Sequence, residues 1–489
     1  MQPHQRQFHY PAEPTTNYFI NLSSNASTNS FQQQKQTVNH YICKHIMQSE
    51  IQHIEAEIID QFQMDDNYRP WIIGFSGGKD STMLLQLVWN AIKKIDPILR
   101  NKRSIYVICN DTLVENPKIV DFIYRTLDNI AKAARRDGLS VFIEKTTPKL
   151  NDTFWVNTIG KGYPAPNTIF RWCTERLKIN PTTKRILEKI DESGEVILLL
   201  GTRSDESSKR AASIKKHQFG NNRLRKHSLP KAFVYTPIQH FTTDEVWQYL
   251  LVVPSPWNGN NRELITLYRN ATGGDCPLVI DTTTPSCGNS RFGCWVCTVV
   301  KRDKSMEALI DNGEEWMLPL LELRDVLAES RDNLEWREPQ RKNGENKPGP
   351  YKPKYRALLL EKLLDAQRQI QMTEPDTDLI SNQELIAIQM MWYAESIFNF
   401  QVSTIYNKIH NEHIMKADKI EKQKKKETEI LTAVCTQKPD HVGLINDLLN
   451  VQKTKILMRK KIGLSSDLEN QLENHIAKTK KSDRKQYAN

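Results

Sequence analysis

The sequence predicts an α/β fold: a mostly parallel sheet with helices on both faces, then a loop-rich cysteine region and a helical C-terminal region. Three observations carry this. Short apolar runs alternate with amphipathic stretches between residues 71 and 251, the pattern of strands joined by crossover helices. The run over 196–200 is apolar throughout, as a parallel strand covered on both faces must be. From about residue 254 the pattern breaks, and Pro254, Pro256, Gly259, Gly273 and Gly274 punctuate a segment that collects half of the cysteines.

Taken in order, residues 1–35 are rich in Gln, Asn, Ser and Thr and poor in apolar residues, which predicts a disordered polar tail. Ile42, Ile46, Ile51, Ile54 and Ile58 recur at mostly helical spacing and predict a leading helix over 38–62. Strands are expected at 71–75, 105–109, 141–143, 196–200 and 233–236, with helices after the first, over 119–134 and over 176–189. Met83, Leu84, Leu87, Val88, Ala91 and Ile92 share one face of the first of these helices. Thr242 and Glu245 have the spacing of a capping box that starts another. The expected division is an α/β domain over 36–255, a cysteine region over 256–330, a basic loop and helix over 331–380, and a charged helical region over 381–489.

At 489 residues the chain exceeds what one hydrophobic core holds, about 250–300 residues. Hydrophobic residues at 38% and charged residues at 26% fit a globular chain, and no stretch approaches the ~20 apolar residues of a membrane span. The first residues lack an apolar signal core, so the expected location is cytoplasmic, with no membrane partner. The eight cysteines then read as metal ligands or reactive thiols rather than disulfides. A net charge of +10 and a pI near 9.0 are compatible with a polyanionic partner. In the loop 341–356, Arg341, Lys342, Lys347, Lys352, Lys354 and Arg356 alternate with Tyr351 and Tyr355, which suits either a nucleic-acid backbone and an unstacked base or plain solvent. Lys422–Lys426 has glutamates close by and reads as a solvated helix face.

The most specific feature is Ser76-Gly77-Gly78-Lys79-Asp80-Ser81-Thr82, between the first strand and its helix. Two glycines let a backbone approach phosphate oxygens, the helix start presents free N–H groups, and hydroxyls and the Lys79 ammonium add donors. Asp80 can hold a Mg²⁺-bound water or fix the loop. The spacing is not that of a Walker A loop. It resembles the SGGKDS loop of the PP-loop ATP pyrophosphatases, a likeness that implies ATP cleaved between its α and β phosphates, with Mg²⁺ and with Lys79 and Asp80 in catalytic positions.

Three later segments extend the likeness to the branch containing phosphoadenylylsulfate reductases. They are Asp111-Thr112 after the second strand, the run from Arg171 through Cys173 and Lys178 to Pro181, and Gly201-Thr202-Arg203-Ser204-Asp205-Glu206-Ser207 with Arg210. Asp111, Lys178, Gly201, Arg203 and Arg210 are the nucleotide-proximal residues the resemblance implies; the two arginines can meet phosphate or sulfate oxygens bidentately. Over roughly residues 38–370, order and spacing are similar to the DndC sulfurtransferases of bacterial DNA phosphorothioation. That resemblance implies DNA as the acceptor, a cysteine desulfurase as sulfur donor, and other Dnd-system proteins as partners.

Cys276, Cys287, Cys294 and Cys297, separated by ten, six and two residues, form a four-thiolate set closed by a C-x-x-C. Spacing alone leaves tetrahedral zinc and a [4Fe–4S] cluster open, and the resemblance favours the cluster. Cys173, flanked by Arg171, Arg176 and Lys178, is a candidate for a lowered thiol pKa and a persulfide-carrying role. Cys109 reads as a buried small hydrophobe, while Cys43 and Cys435 are isolated. The competing readings are a reductase of adenylylated sulfate, a tRNA thiolase, and a non-catalytic DNA-binding subunit with structural nucleotide and metal sites.

Overall fold

The computed structural model describes residues 48–64, 68–206, 223–271, 293–341, 344–395, 397, 399–410, 418–457, 468–469 and 472–473. The expected polar tail, Cys43, Lys342, Arg210, Cys276 and Cys287 lie outside these residues.

Residues 48–63 form a leading helix, α1, in which Ile54, Ile58 and Phe62 are buried. The sheet follows: β1 (Trp71–Gly74), α2 (Lys79–Lys93), β2 (Ile105–Asn110), α3 (Pro117–Asp137), β3 (Val141–Thr146), α4 (Asn180–Ser193), β4 (Val196–Leu199), β5 (Arg225–Lys226) and β6 (Ala232–Tyr235). Its strand order is β3-β2-β1-β4-β6-β5. All pairs are parallel except β5 with β6, with Trp71 level with Ile105 on one side and Ile197 on the other. The apolar β1 and β4 are central and buried, as continuous apolar runs require, whereas β3 is an edge strand and more exposed. Local chemistry sets the helix ends. Pro117 opens α3 under an Asn116 cap, and Gly138 closes it at φ 59°, a left-handed position glycine adopts without strain.

The order reverses between β1 and β4: β2 and β3 lie to one side of this pair, β6 and β5 to the other. Such a switch point leaves a crevice outside the carboxyl ends of the two strands, where α/β sheets bind ligands. The two-residue β5, absent from the sequence reading, is too short and too charged to show a strand period; its Arg225 and Lys226 cover one side of β6.

Beyond the sheet come α5 (Thr243–Val252), α6 (Asn261–Asn270), α7 (Lys304–Asp311), α8 (Leu318–Asp332), α9 (Pro353–Gln371), α10 (Asn382–Ala394), α11 (Val402–His410), α12 (Asp418–Val434) and α13 (Asp440–Leu457). The capping box of Thr242 and Glu245 is present at α5. A second core joins residues far apart in sequence. Phe154, Trp155, Val156 and Ile159, inserted between β3 and α4, pack with Leu320 and Leu327 of α8, Leu360 and Leu363 of α9, and Ile388 and Trp392 of α10. Buried indole N–H groups tie it: Trp155 donates to Leu379 O at 2.8 Å and Trp392 to Ile159 O at 2.9 Å.

This core corrects the reading of the basic loop. Tyr351 and Tyr355 are 1% and 2% exposed, stacked obliquely at 4.9 Å, and Tyr351 Oη lies 3.0 Å from Ser330 Oγ. Arg356 is buried at the start of α9. None of the three is available to a nucleic acid. Aromatic and basic residues in alternation look the same in sequence whether they face a ligand or fill a core. No helix among the described residues is long and apolar enough to cross a membrane.

Candidate active site

The residues after β1 fold into a turn that only glycine fits. Gly77 has φ +72°, and a Cβ there would lie 2.4 Å from Cγ1 of the buried Ile123. Gly78 then caps α2 without a side-chain hydrogen bond, and the first helical bond is Thr82 N–H to Gly78 O at 3.0 Å. The amides of the first turn therefore stay directed at the crevice, where the helix dipole favours an anion. Hydroxyls brace the turn from behind: Ser81 Oγ donates to Gly78 O at 3.0 Å and accepts the Ser76 N–H at 3.2 Å. Gly78 N–H reaches Ser76 Oγ at 3.4 Å.

Across the switch point, the segment after β4 comes against this turn. A Cβ on Gly201 would sit 2.9 Å from Asp80 O and 3.1 Å from Ser81 N, so only glycine permits the approach. Two segments more than a hundred residues apart in sequence thus share one site. Lys79 Nζ lies 3.0 Å from Asp80 Oδ2 and 5.9 Å from the Tyr268 ring centroid. The sequence reading missed Tyr268, which α6 supplies through tertiary packing and no motif announces.

Arg203, expected on phosphate or sulfate oxygens, is 1% exposed and turned inward, its Nε donating to Asp80 Oδ1 at 2.6 Å. Asp111, at the carboxyl end of β2, accepts the Leu113 N–H at 2.8 Å and the Tyr124 hydroxyl at 2.5 Å.

A thiol cluster adjoins the end of β2, beside the phosphate loop's own strand. Glu115 bridges to Cys294 through the backbone, and Trp295 N–H donates to Val114 O at 3.0 Å. Thr112 Oγ1 lies 3.3 Å from Cys294 Sγ and donates to Glu115 Oε1 at 3.0 Å; the Cys294 thiol donates to the same oxygen at 3.7 Å. Burial, then the Glu115 charge, pushes the Cys294 thiol up to about 12. Lys178, read as a nucleotide cation, instead pairs with Glu115 at 3.3 Å. Burial works against its ammonium, but Cys294 and Glu115 outweigh it and hold the pKa above the usual lysine range. Asn110 ties this turn to β2, its Nδ2 donating to Leu177 O at 3.1 Å.

Cys173 opens the same π-type turn, Thr174–Ile179. It lies near enough to Cys297 that burial first, and that neighbour's charge second, raise its thiol pKa. This reverses the expected lowering. Arg176 faces Asn157 and Tyr163, and Lys178 pairs with Glu115, so although Lys178 also interacts with the Cys173 sulfur, burial and Cys297 outweigh it there. Cys109 is buried as expected, and burial, with Asp111 next, pushes it up to about 12.

Cys294 and Cys297 occupy one turn, with Cys297 N–H donating to Cys294 O at 3.0 Å. Two thiols from one turn, beside a third, are a donor set suited to a thiophilic metal centre. Among the described residues no group of three or more His, Cys, Asp or Glu is placed to hold a metal ion; Cys276 and Cys287 are outside them.

Residues 70–300 match the family model of the phosphoadenosine phosphosulfate reductase domain. An uncharacterized protein of Methanocaldococcus jannaschii is 30% identical over 190 residues, which cover 39% of this chain and 33% of that protein; the chain spans about a third of the length of the curated relative it matches. A crystal structure of phosphoadenylyl-sulfate reductase from Candida auris, a phosphate complex, is 14% identical with a TM-score of 0.26, covering 42% of this chain and 87% of that one. Residues 70–300, just under half of the chain, are thus similar to the phosphoadenosine phosphosulfate reductase domain.

Proposed function

We propose that the chain is an ATP-dependent sulfurtransferase that activates a DNA backbone phosphate by adenylation and replaces a non-bridging oxygen with sulfur. The observation that supports this reading is the adjacency of two chemistries at the carboxyl end of the sheet: the loop after β1 offers an anion site, and the loop after β2 packs against the turn of Cys294, with Cys297 and Cys173 close by. Neighbouring parallel strands run about 4.8 Å apart, which brings the loops after β1 and β2 to the same end of the sheet.

In the proposed reaction a DNA phosphate oxygen attacks the α-phosphorus of ATP. The bond to the β-phosphate breaks and pyrophosphate leaves. A sulfur nucleophile then attacks the adenylated DNA phosphorus, forming the P–S bond and releasing AMP. If Cys173 carries that sulfur as a persulfide, its S–S bond is finally cleaved by a thiol reductant. The first-turn amides of α2 and Lys79 stabilise developing phosphate charge, and Gly77 and Gly201 let the backbone reach it. Ser76, Ser81 and Thr82 keep the turn in shape. Mg²⁺ would supply charge neutralisation on the phosphates, while Asp80, paired with Lys79 and Arg203, fixes the loop. Cys276, Cys287, Cys294 and Cys297 would hold a [4Fe–4S] cluster, which supplies electron transfer or sulfur binding when present; zinc in the same set would be structural. A cysteine desulfurase as sulfur source and Dnd-system proteins as partners complete the reading.

The test is the product pair. Protein purified without oxygen, given labelled ATP and DNA, is expected to form AMP and pyrophosphate in a DNA-dependent manner. ADP and phosphate, or ATP bound without cleavage, would remove the adenylation step and leave a non-catalytic DNA-binding subunit. The matched domain's name favours a second reading, in which an adenylylated sulfate is reduced; sulfite release from such a substrate would select it. The same preparation is expected to contain about four iron and four acid-labile sulfide per chain. Stoichiometric zinc without sulfide would make the cysteine site structural.

A further inference from the structure

We propose that Arg203 and Asp80 form a buried clasp that fixes the phosphate loop to the segment after β4, with Arg203 a positioning residue rather than a phosphate ligand. The inference rests on the reading of the first turn of α2 as the nucleotide site.

Every nitrogen of the Arg203 guanidinium has an acceptor inside the protein. Nε donates to Asp80 Oδ1 at 2.6 Å, Nη1 to Phe241 O at 3.0 Å and Asp205 Oδ2 at 3.4 Å, and Nη2 to Thr243 Oγ1 at 3.1 Å. Asp205 is held in turn by the N–H and hydroxyl of Thr243, at 3.0 and 3.1 Å. The planar fork therefore joins three segments: the first turn of α2, the end of β4, and the start of α5. An arginine with four of its five N–H donors on acceptors and 1% of its surface exposed is not placed to grip a phosphate without breaking what it holds.

The clasp has two physical consequences. First, it places backbone. Gly201 lies against Asp80 O and Ser81 N with no room for a Cβ, and the Arg203–Asp80 bond two residues on locks that contact. The amides of the first turn are then held at one distance from the crevice, which is what preorganised charge stabilisation needs. Second, it neutralises a carboxylate. Asp80 sits in the first turn of α2, where an unpaired negative charge would oppose a polyphosphate. With Arg203 on Oδ1 and Lys79 on Oδ2, the carboxylate is balanced, and Lys79 stays aligned beside the loop.

The test uses the full chain and two readouts. Hydrogen exchange of residues 76–82 is followed in nucleotide-free protein, and pyrophosphate release is followed with ATP. The clasp predicts that Arg203→Lys, which keeps the charge but loses the fork, speeds exchange of this segment about tenfold or more while β2 and β3 stay protected. It also predicts a fall of about 10²-fold in kcat/KM for ATP, carried by kcat as well as KM. Unchanged exchange in the nucleotide-free variant, with only the ATP KM raised, would make Arg203 a phosphate ligand and overturn the clasp. Should Arg203→Lys fail to fold, Asp80→Ala removes the acceptor of the same bond from the other side. Local loosening of 76–82 is again expected, and loosening spread over the whole sheet would count against the clasp. Local loosening in a protein that neither binds nor cleaves ATP would keep the clasp and sink the nucleotide reading.

Discussion

Replacing Lys79 with alanine is expected to lower ATP turnover about 10²–10³-fold, the usual cost of removing one preorganised charge donor from a transferring phosphoryl group. Folding should barely notice. Asp80 keeps Arg203 as its partner at 2.6 Å, so no carboxylate is stranded, and the loss in stability should stay near about 1 kcal/mol. The two effects differ by enough to be separated: a stopped assay of pyrophosphate release beside a urea titration suffices. Lys79→Arg should not restore the rate, because a planar fork does not substitute for a compact ammonium on a packed stem beside Asp80 and Tyr268. Turnover within a few-fold of wild type in a folded Lys79→Ala protein would remove Lys79 from the chemistry.

The turn after β1 was legible in the sequence because its backbone requirements are local. A glycine turn at Gly77 and a helix start at Lys79 follow from neighbouring residues, whereas Ser81, expected as a hydroxyl donor to phosphate, instead donates to Gly78 O. The five parallel strands were legible for a related reason. Buried on both faces or more exposed at an edge, each run carries its own burial pattern. What the sequence could not convey is where side chains go once distant segments meet. Arg203 and Lys178 lie in motifs that promise phosphate contacts, yet tertiary partners turn one toward Asp80 and the other toward Glu115. Cys173 stands among cations in sequence and among thiols in space, so its pKa moves up rather than down. Charge near in sequence is a poor guide to charge near in space when a helical turn separates the side chains.

Composition likewise marks segments but not shared cores. The changes near 254 and 340 are real as changes in residue usage, yet Trp155, Trp295, Leu360 and Trp392 belong to one buried cluster. Arg356 shows most plainly how a surface-looking residue is recruited to such a core, and it carries the largest stability effect expected here. Its Nε donates to Ile159 O at 2.8 Å, Nη2 to Gly160 O, and Nη1 to Glu395 Oε2 at 2.5 Å. It is 2% exposed, and the two carbonyls close the inserted turn Val156–Gly160.

Arg356→Met fills much of the space but withdraws all three donors, so a loss of about 3–5 kcal/mol is expected, as for breaking a buried ion pair from one side. Which part of that loss matters can be argued from the partners. Glu395 keeps 30% of its side chain in solvent and can rehydrate, so the carboxylate accounts for the smaller share. Ile159 O still accepts the Trp392 indole N–H at 2.9 Å. Among the described residues no other side chain donates to Gly160 O, and a buried carbonyl left unpaired costs about 1–3 kcal/mol. Adding Glu395→Gln should therefore recover less than about 1 kcal/mol. Arg356→Lys, with charge but one donor centre, should fall between wild type and Arg356→Met. Urea midpoints of the four proteins measure this ordering, and near-full recovery in the double variant would show that the ion pair, not the carbonyls, holds the inserted turn. At temperatures where the variants remain folded, pyrophosphate release should be little changed, since Arg356 touches neither the turn after β1 nor the thiols; one of the six basic residues of the loop 341–356 is thus expected to act on folding alone.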